Sequence, residues 1–307
     1  MTFDLILIGF GNVARRFMTL LAEQRTGLAR DHDLTARVVG IATRHGHEYD
    51  AEGLKEIASD VVRTFRSARH GRPDQPPPRL RRSAEASAKA EGLHYSDFFS
   101  ASKGGDYLRS TTLAFLREAL AKSRVAARQR RLVVIETTTL DIARGEPAIR
   151  HIRTALAGGA HVVTANKGPV AFAYRSLARA AERADRRWLF EGAVMDGVPV
   201  FNLVRETLPA VNVLGFRGVV NSTTNFILTA MEQGQSFDAA LAEMQARGIA
   251  EADPSLDVDG WDAAAKTAAL ANVLLGAGIT PHRVERHGIT ADAGRRAVAA
   301  RAAGRRL

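Results

Sequence analysis

Phe3-Asp4-Leu5-Ile6-Leu7-Ile8, followed at once by Gly9-Phe10-Gly11-Asn12-Val13-Ala14, is the stretch that decides the fold. The first six residues have a strand's composition, and Phe17, Leu20 and Leu21 continue the chain with helical spacing. Strand, Gly-x-Gly-x-x-Ala, helix is the arrangement of a dinucleotide cradle. Gly9 permits the tight turn, Gly11 lets the backbone approach a pyrophosphate, and the small Ala14 lets helix pack on strand. The phosphates would then meet the N–H groups at the helix N-terminus. A purely structural glycine turn is the plainer alternative. The position at the head of the chain, between strand and helix, favours the cofactor.

The pattern continues outward from that cradle. Ala36 to Ala42 reads as the second strand, and a carboxylate at its end would hold the ribose hydroxyls of NAD. The chain has Thr43-Arg44-His45 there, with Lys55 on the following segment, which suits the 2′-phosphate of NADP and leaves NAD possible. Residues 66 to 92, with Pro76-Pro77-Pro78, many arginines and few apolar residues, read as a flexible basic insertion. A helical pattern returns near Leu108 to Leu120. Leu132 to Ile135 is a further strand ending in Glu136-Thr137-Thr138-Thr139, and a helix over 147–157 leads to the strand His161 to Thr164. Ala165-Asn166-Lys167-Gly168-Pro169 follows. The alternation predicts a doubly wound parallel sheet of Rossmann type, whose ligand crevice lies at the strand carboxyl ends. Thr138 and Lys167 both fall there.

Composition narrows the chemistry. The 307 residues suffice for two domains, and they contain no cysteine. That excludes disulfides, cysteine-ligated zinc and a thiol nucleophile. No apolar run is long enough to span a membrane and no secretory signal is apparent, so a cytoplasmic location is expected. The net charge of +10 comes from two windows, 60–90 and 283–307, each with a surplus of five cations. Neither window interleaves aromatics with arginine, and no specific nucleic-acid partner is expected. Lysines number only six against thirty-seven arginines. A lysine inside a motif therefore stands out, because an ammonium can give up its proton and a guanidinium effectively cannot.

Such a lysine closes the segment Gly248 to Lys266, Gly-Ile-Ala-Glu-Ala-Asp-Pro-Ser-Leu-Asp-Val-Asp-Gly-Trp-Asp-Ala-Ala-Ala-Lys. Asp253-Pro254 and Asp259-Gly260 are turn signals, so Glu251, Asp253 and Asp257 are expected on an irregular, surface-reaching segment. From Trp261 the pattern turns helical and sets Asp262 and Lys266 one turn apart on one face. Taken alone, the segment is most simply a solvated acidic loop beside an exposed ion pair.

The order of motifs changes that reading. Gly-Phe-Gly-Asn-Val at the start, Thr-Ala-Asn-Lys-Gly-Pro at 164–169, Glu-Gly-Ala-Val-Met-Asp-Gly-Val-Pro at 191–199, Gly-Val-Val-Asn-Ser-Thr-Thr-Asn-Phe-Ile-Leu at 218–228 and then 248–266 resemble homoserine dehydrogenases across nearly the whole chain outside 66–92. The resemblance implies NAD(P)H-dependent reduction of L-aspartate 4-semialdehyde to L-homoserine. It implies that Lys266 transfers the proton, that Asp262 orients substrate and lysine, and that Glu251 and Asp257 belong to the substrate site. Lys167 looks like the lysine between cofactor and substrate. Phe10, Asn12, Val13 and Thr138 look like cofactor contacts, beside Gly9, Gly11 and Arg44. Glu191, Val194, Asp196 and Val198 resemble positions whose backbone oxygens hold a monovalent cation such as sodium. A homodimer is implied as well.

The implied organisation is a dinucleotide-binding domain over 1–190 and an α+β substrate and dimerisation domain over 191–307. Members of the family normally continue beyond the point where this chain stops, so the second domain is expected to be incomplete. Ser222 stands where the family usually has glycine, which leaves open a different small amino-acid aldehyde or hydroxy acid as substrate. A catalytically weak dinucleotide-binding homologue is the remaining alternative.

Overall fold

The computed structural model describes residues 1–43, 46–54, 112–126, 131–247, 250, 253–290 and 292–306. The insertion expected at 66–92 lies outside the described residues, and so do Arg44, Lys55 and Glu251. The chain divides into two compact units, Met1–Pro169 with Ala173–Pro199, and Val170–Phe172 with Val200–Leu307.

The first unit is a six-stranded sheet with helices. Its elements run β1 (Thr2–Ile8), α1 (Asn12–His32), β2 (Thr35–Ala42), β3 (His47–Tyr49), α2 (Thr112–Ala126), β4 (Arg131–Glu136), α3 (Ala148–Ala157), β5 (His161–Thr164), α4 (Lys167–Arg183) and β6 (Trp188–Leu189). The strand order is β3-β2-β1-β4-β5-β6. All neighbours are parallel except β3, which runs antiparallel to β2. Central parallel strands bury both faces, which is why β1 reads as an almost unbroken apolar run. Ile6, Leu7 and Ile8 are fully buried. Leu5 and Leu7 pack with Phe10, Ala14, Met18, Val38 and Ile41 in one core cluster.

Strand order reverses between β1 and β4, so the ligand crevice of such a sheet opens beyond their carboxyl ends. Register brings those ends level: Ile8 pairs with Glu136, and Glu136 pairs with Thr164 of β5. The first unit thus has the doubly wound architecture expected of it. The short β3 was not anticipated, because its three residues become a strand only by pairing with Gly40–Ala42.

The second unit consists of α5 (Val200–Thr207), α6 (Ser222–Glu232), α7 (Phe237–Ala246), α8 (Ser255–Val258), α9 (Trp261–Leu274) and α10 (Ala293–Ala302). Ile227, Met231, Ala240, Met244, Ala293 and Ala297 form one core cluster, where alanine allows helices to approach closely. The buried amide of Asn272 on α9 donates to the carbonyls of Val170 (3.2 Å) and Ala171 (3.1 Å), and exchanges two bonds with Ile279. Residues 208–220 join α5 to α6 with neither helix nor ladder, and Leu214 is 90% exposed. The described residues offer this stretch no neighbouring strand. No helix among the described residues is long and apolar enough to cross a membrane.

Within the acidic segment Asp253 lies outside any helix and exposed, as expected, Glu251 lies outside the described residues, and Asp257 departs from the expected irregular form. Asp257 sits on the single turn of α8, closed by bonds from Val258 N–H to the Pro254 carbonyl (2.9 Å) and from Asp259 N–H to the Ser255 carbonyl (2.8 Å). Pro254 ends the preceding run and starts this turn, so the proline that reads as a breaker acts as a helix initiator.

Candidate active site

The cradle in the first unit is built around Gly9. Its φ of +88° is a conformation that side chains disfavour, and its N–H donates to the Ala42 carbonyl (2.8 Å). Thr137 donates its N–H to the Ile8 carbonyl (2.8 Å) and its hydroxyl to the Gly9 carbonyl (3.1 Å), so the glycine turn is clamped between the ends of β2 and β4. Gly11 occupies the cap position of α1 without any side-chain hydrogen bond, and a Cβ there would meet nothing within 4 Å. The first turn of α1 therefore has no capping side chain and room beside Gly11, which suits a pyrophosphate at the helix N-terminus.

Asn12 and Val13 lie exposed on that first turn, Val13 at 56%. Phe10 differs. Its side chain is buried in the β1–α1 core, so any contact it makes with a cofactor comes from its backbone.

Beside the cradle, Glu136 is fully buried at the end of β4. Its Oε1 accepts from the Thr138 N–H (3.1 Å) and the Thr138 hydroxyl, and its Oε2 from the Thr164 hydroxyl (2.9 Å). The Nδ1 of buried His151 lies 3.8 Å away and has no hydrogen-bond partner among the described residues. Asn166 caps α4 by accepting from the Gly168 N–H (2.9 Å), and its amide donates to the Thr138 carbonyl (3.0 Å). Lys167 is the first residue of α4, held at the carboxyl end of β5 by that cap. Thr138 is thus fixed by one buried carboxylate, and Asn166, which precedes Lys167, is tied to the Thr138 carbonyl. Glu136 was visible in the sequence only as a strand end.

The second unit holds the acidic group. Lys266 Nζ lies 3.0 Å from Asp262 Oδ2 and donates to the Val220 carbonyl at 2.7 Å. Their side chains are only 18% and 13% exposed, so the pair is not the solvated surface bridge of the plain reading. Asn221 donates its amide to Asp257 Oδ1 (2.7 Å) and to Asp262 Oδ2 (2.9 Å). Asp257, Asp262 and Lys266 are therefore brought into one network, with Asn221 as the member that spacing did not disclose.

Gly260, at φ +79°, turns the chain from α8 into α9, and the Arg286 guanidinium stacks 3.6 Å over the Trp261 ring that follows. Asp253 is exposed and separate. The Ser255 backbone N–H and hydroxyl hold its carboxyl below the usual carboxylate range. Ser222 is exposed at the first position of α6.

The loop over 191–199 is a short 3₁₀ turn (Glu191–Ala193) followed by Asp196 in the left-handed region at φ 51°. Its closing bonds run from Ala193 N–H to the Phe190 carbonyl (3.0 Å) and from Val198 N–H to the Met195 carbonyl (2.9 Å). Those bonds use carbonyls other than the four implicated in cation binding. A turn of backbone oxygens is a fitting donor set for a hard cation.

The family model described as homoserine dehydrogenase matches residues 199–307. An NAD(+)-dependent homoserine dehydrogenase of Pseudomonas canavaninivorans is 34% identical over 289 residues, covering 94% of this chain and 71% of that protein. A homoserine dehydrogenase of Methanocaldococcus jannaschii is 31% identical over 288 residues, covering 94% and 73%. Among solved structures, a hyperthermophilic archaeal homoserine dehydrogenase mutant in complex with NADPH superposes with a TM-score of 0.67 at 26% identity, covering 95% of this chain and 75% of that one.

Proposed function

From the premise that this chain belongs to the homoserine dehydrogenase family, we propose that Lys266 is the proton donor and acceptor of its reaction. The activity is that of an NAD(P)-dependent oxidoreductase acting on a CH–OH group, the reversible reduction of L-aspartate 4-semialdehyde to L-homoserine. One observation carries the assignment. Among the described residues the Lys266 ammonium is held by Asp262 and the Val220 carbonyl, which engages two of its three donors and leaves the third for a substrate oxygen.

The nicotinamide cofactor, when bound, supplies the hydride. As negative charge grows on the aldehyde oxygen, the Lys266 ammonium stabilises it and then gives up its proton. In the reverse direction the neutral amine takes the hydroxyl proton. Asp262 fixes the position of Nζ, and Asp257, with Glu251, offers carboxylates to the substrate's ammonium group. Gly9, Gly11, Asn12, Val13 and the Phe10 backbone cradle the cofactor phosphates, and Thr138 and Lys167 lie beside the crevice. Arg44 favours NADP over NAD, a reading supported by the absence of a carboxylate after β2. Glu191, Val194, Asp196 and Val198 would hold a sodium-like cation through backbone oxygens, which would stiffen the loop before α5.

The chain works in the cytoplasm as a homodimer, pairing through 208–219, where Leu208, Val211, Leu214, Phe216 and Val219 expose apolar surface. The experiment is an assay of NADPH oxidation with aspartate semialdehyde on this chain. Substrate-dependent oxidation that collapses in Lys266→Ala is expected. No oxidation, or full turnover by the variant, overturns the assignment.

A further inference from the structure

Asn221 occupies a position whose two halves do different jobs. Its Oδ1 faces α6, accepting from the Thr224 N–H (2.8 Å) and the Thr224 hydroxyl (3.0 Å), which makes it the N-cap of that helix. Its Nδ2 faces the other way, with one proton to Asp257 Oδ1 (2.7 Å) and one to Asp262 Oδ2 (2.9 Å). The amide orientation is fixed by chemistry. A carboxylate can only accept, a backbone N–H can only donate, and the opposite flip would oppose like groups at both ends. The side chain is 7% exposed, and the carbonyl of its neighbour Val220 is the one that receives the Lys266 ammonium.

We infer that Asn221 is the positioning residue of the proton-transfer site: its amide holds two carboxyl groups from α8 and α9 around one NH₂ group and so keeps Asp262 in line with Lys266. The inference rests on the assignment of Lys266 as the proton-transfer group. Two carboxylates reaching one point repel each other, and Asp262 has to keep one oxygen aimed at Nζ while meeting that repulsion. An amide supplies two donors without adding charge, so it satisfies both acids and adds no cation to compete with Lys266 for Asp262. A lysine or arginine at 221 would compete with Lys266 for Asp262, and a hydroxyl would have one proton for two acceptors. No other neutral side chain of this length both caps a helix and donates twice.

The cap and the double donor can be separated by substitution, because serine and aspartate are as good as asparagine at an N-cap but lack the NH₂. Asn221→Ser should melt close to the wild type, since Thr224 keeps its acceptor, whereas Asn221→Asp keeps the cap but sets a third carboxylate against Asp257 and Asp262 and should melt lower. They should bind NADPH within about twofold of wild type and lose about 10- to 100-fold in kcat, the range for losing hydrogen bonds to charged groups. Proton transfer then becomes the slow step, so the solvent deuterium isotope effect on kcat should rise in both. Turnover within twofold of wild type with an unchanged isotope effect overturns the inference while leaving the Lys266 assignment intact. Loss of folding by both variants also overturns it, because the two bonds of the amide would then serve the fold rather than the proton-transfer site. Full activity of Lys266→Ala would remove the parent assignment instead, so the two failures are told apart.

Discussion

Gly9 and Thr137 approach so closely that a Cβ on the glycine would fall 2.8 Å from the threonine carbonyl carbon. A Cβ on Gly11, two residues on, would meet nothing within 4 Å. The two glycines of one motif therefore have different reasons to exist. Gly9→Ala meets both the clash and the positive φ, and should cost about 1–3 kcal/mol of stability as well as cofactor binding. Gly11→Ala should leave the melting temperature unchanged yet weaken NADPH about tenfold or more, since its methyl would stand where the pyrophosphate approaches. Calorimetric melting and NADPH titration on both variants check this, and equal melting losses would refute it.

Lys266→Arg keeps the positive charge beside Asp262 but cannot release a proton. Turnover should fall about 100-fold or more, while NADPH binds as in the wild type. Retention of most activity by the arginine variant would mean that the charge alone suffices and no proton passes through residue 266.

Glu136→Ala leaves the buried Thr164 hydroxyl and the half-buried Thr138 N–H without their acceptor. The variant should lose about 1–3 kcal/mol in denaturant unfolding. It should also bind NADPH more weakly, because Thr138 and its partner Asn166 lose a common anchor. A variant as stable as the wild type would show that water or His151 replaces the carboxylate.

His161 gives stability a pH dependence. Burial, and then Arg186, Arg131 and Arg187 around it, push its pKa below the ordinary 6.5, and its Nδ1 accepts the Arg187 N–H at 3.0 Å. Below that ordinary value the unfolded chain takes up a proton that the folded one resists, so stability is lost as pH falls through about 6.5 and is fully present above it. His161→Gln should flatten this slope. Melting curves between about pH 7.5 and about pH 5 test it, and parallel curves for the two proteins would exclude His161 as the source.

Arg44→Ala should weaken NADPH more than NADH, because only the former carries a 2′-phosphate. Equal effects on the two cofactors, measured as Kd, would take Arg44 out of the phosphate site.

The cradle was legible because its determinants are local. An apolar run, two glycines and a helix period lie within twenty residues, and the backbone geometry they imply is the one found. The same holds for Asp262 and Lys266, whose one-turn spacing on α9 yields the 3.0 Å contact directly. Asn221 could not be weighed in this way. Its partners lie 36 and 41 residues further along, and only tertiary packing brings three helices to one amide. Glu136 was hidden for a related reason. At the end of an apolar strand it resembles a solvated boundary residue, and its donors come from the next loop and from β5. Asp257 was placed on a loop because Pro254 reads as a breaker, whereas a proline at the start of a turn favours helix.

Asn221 through Lys266 carry every charged group of the acidic network, while the glycine cradle and the Glu136 cluster are drawn from residues before 170. On the proposed assignments, preference for a cofactor and preference for a substrate would be recorded in separate lengths of one chain. A lineage could exchange one nicotinamide for another by changes confined to the early strands, without revising a single proton-handling side chain. The reverse is also open to it: a new aldehyde could be explored by altering residues around 221–222, on a cofactor platform left as it was.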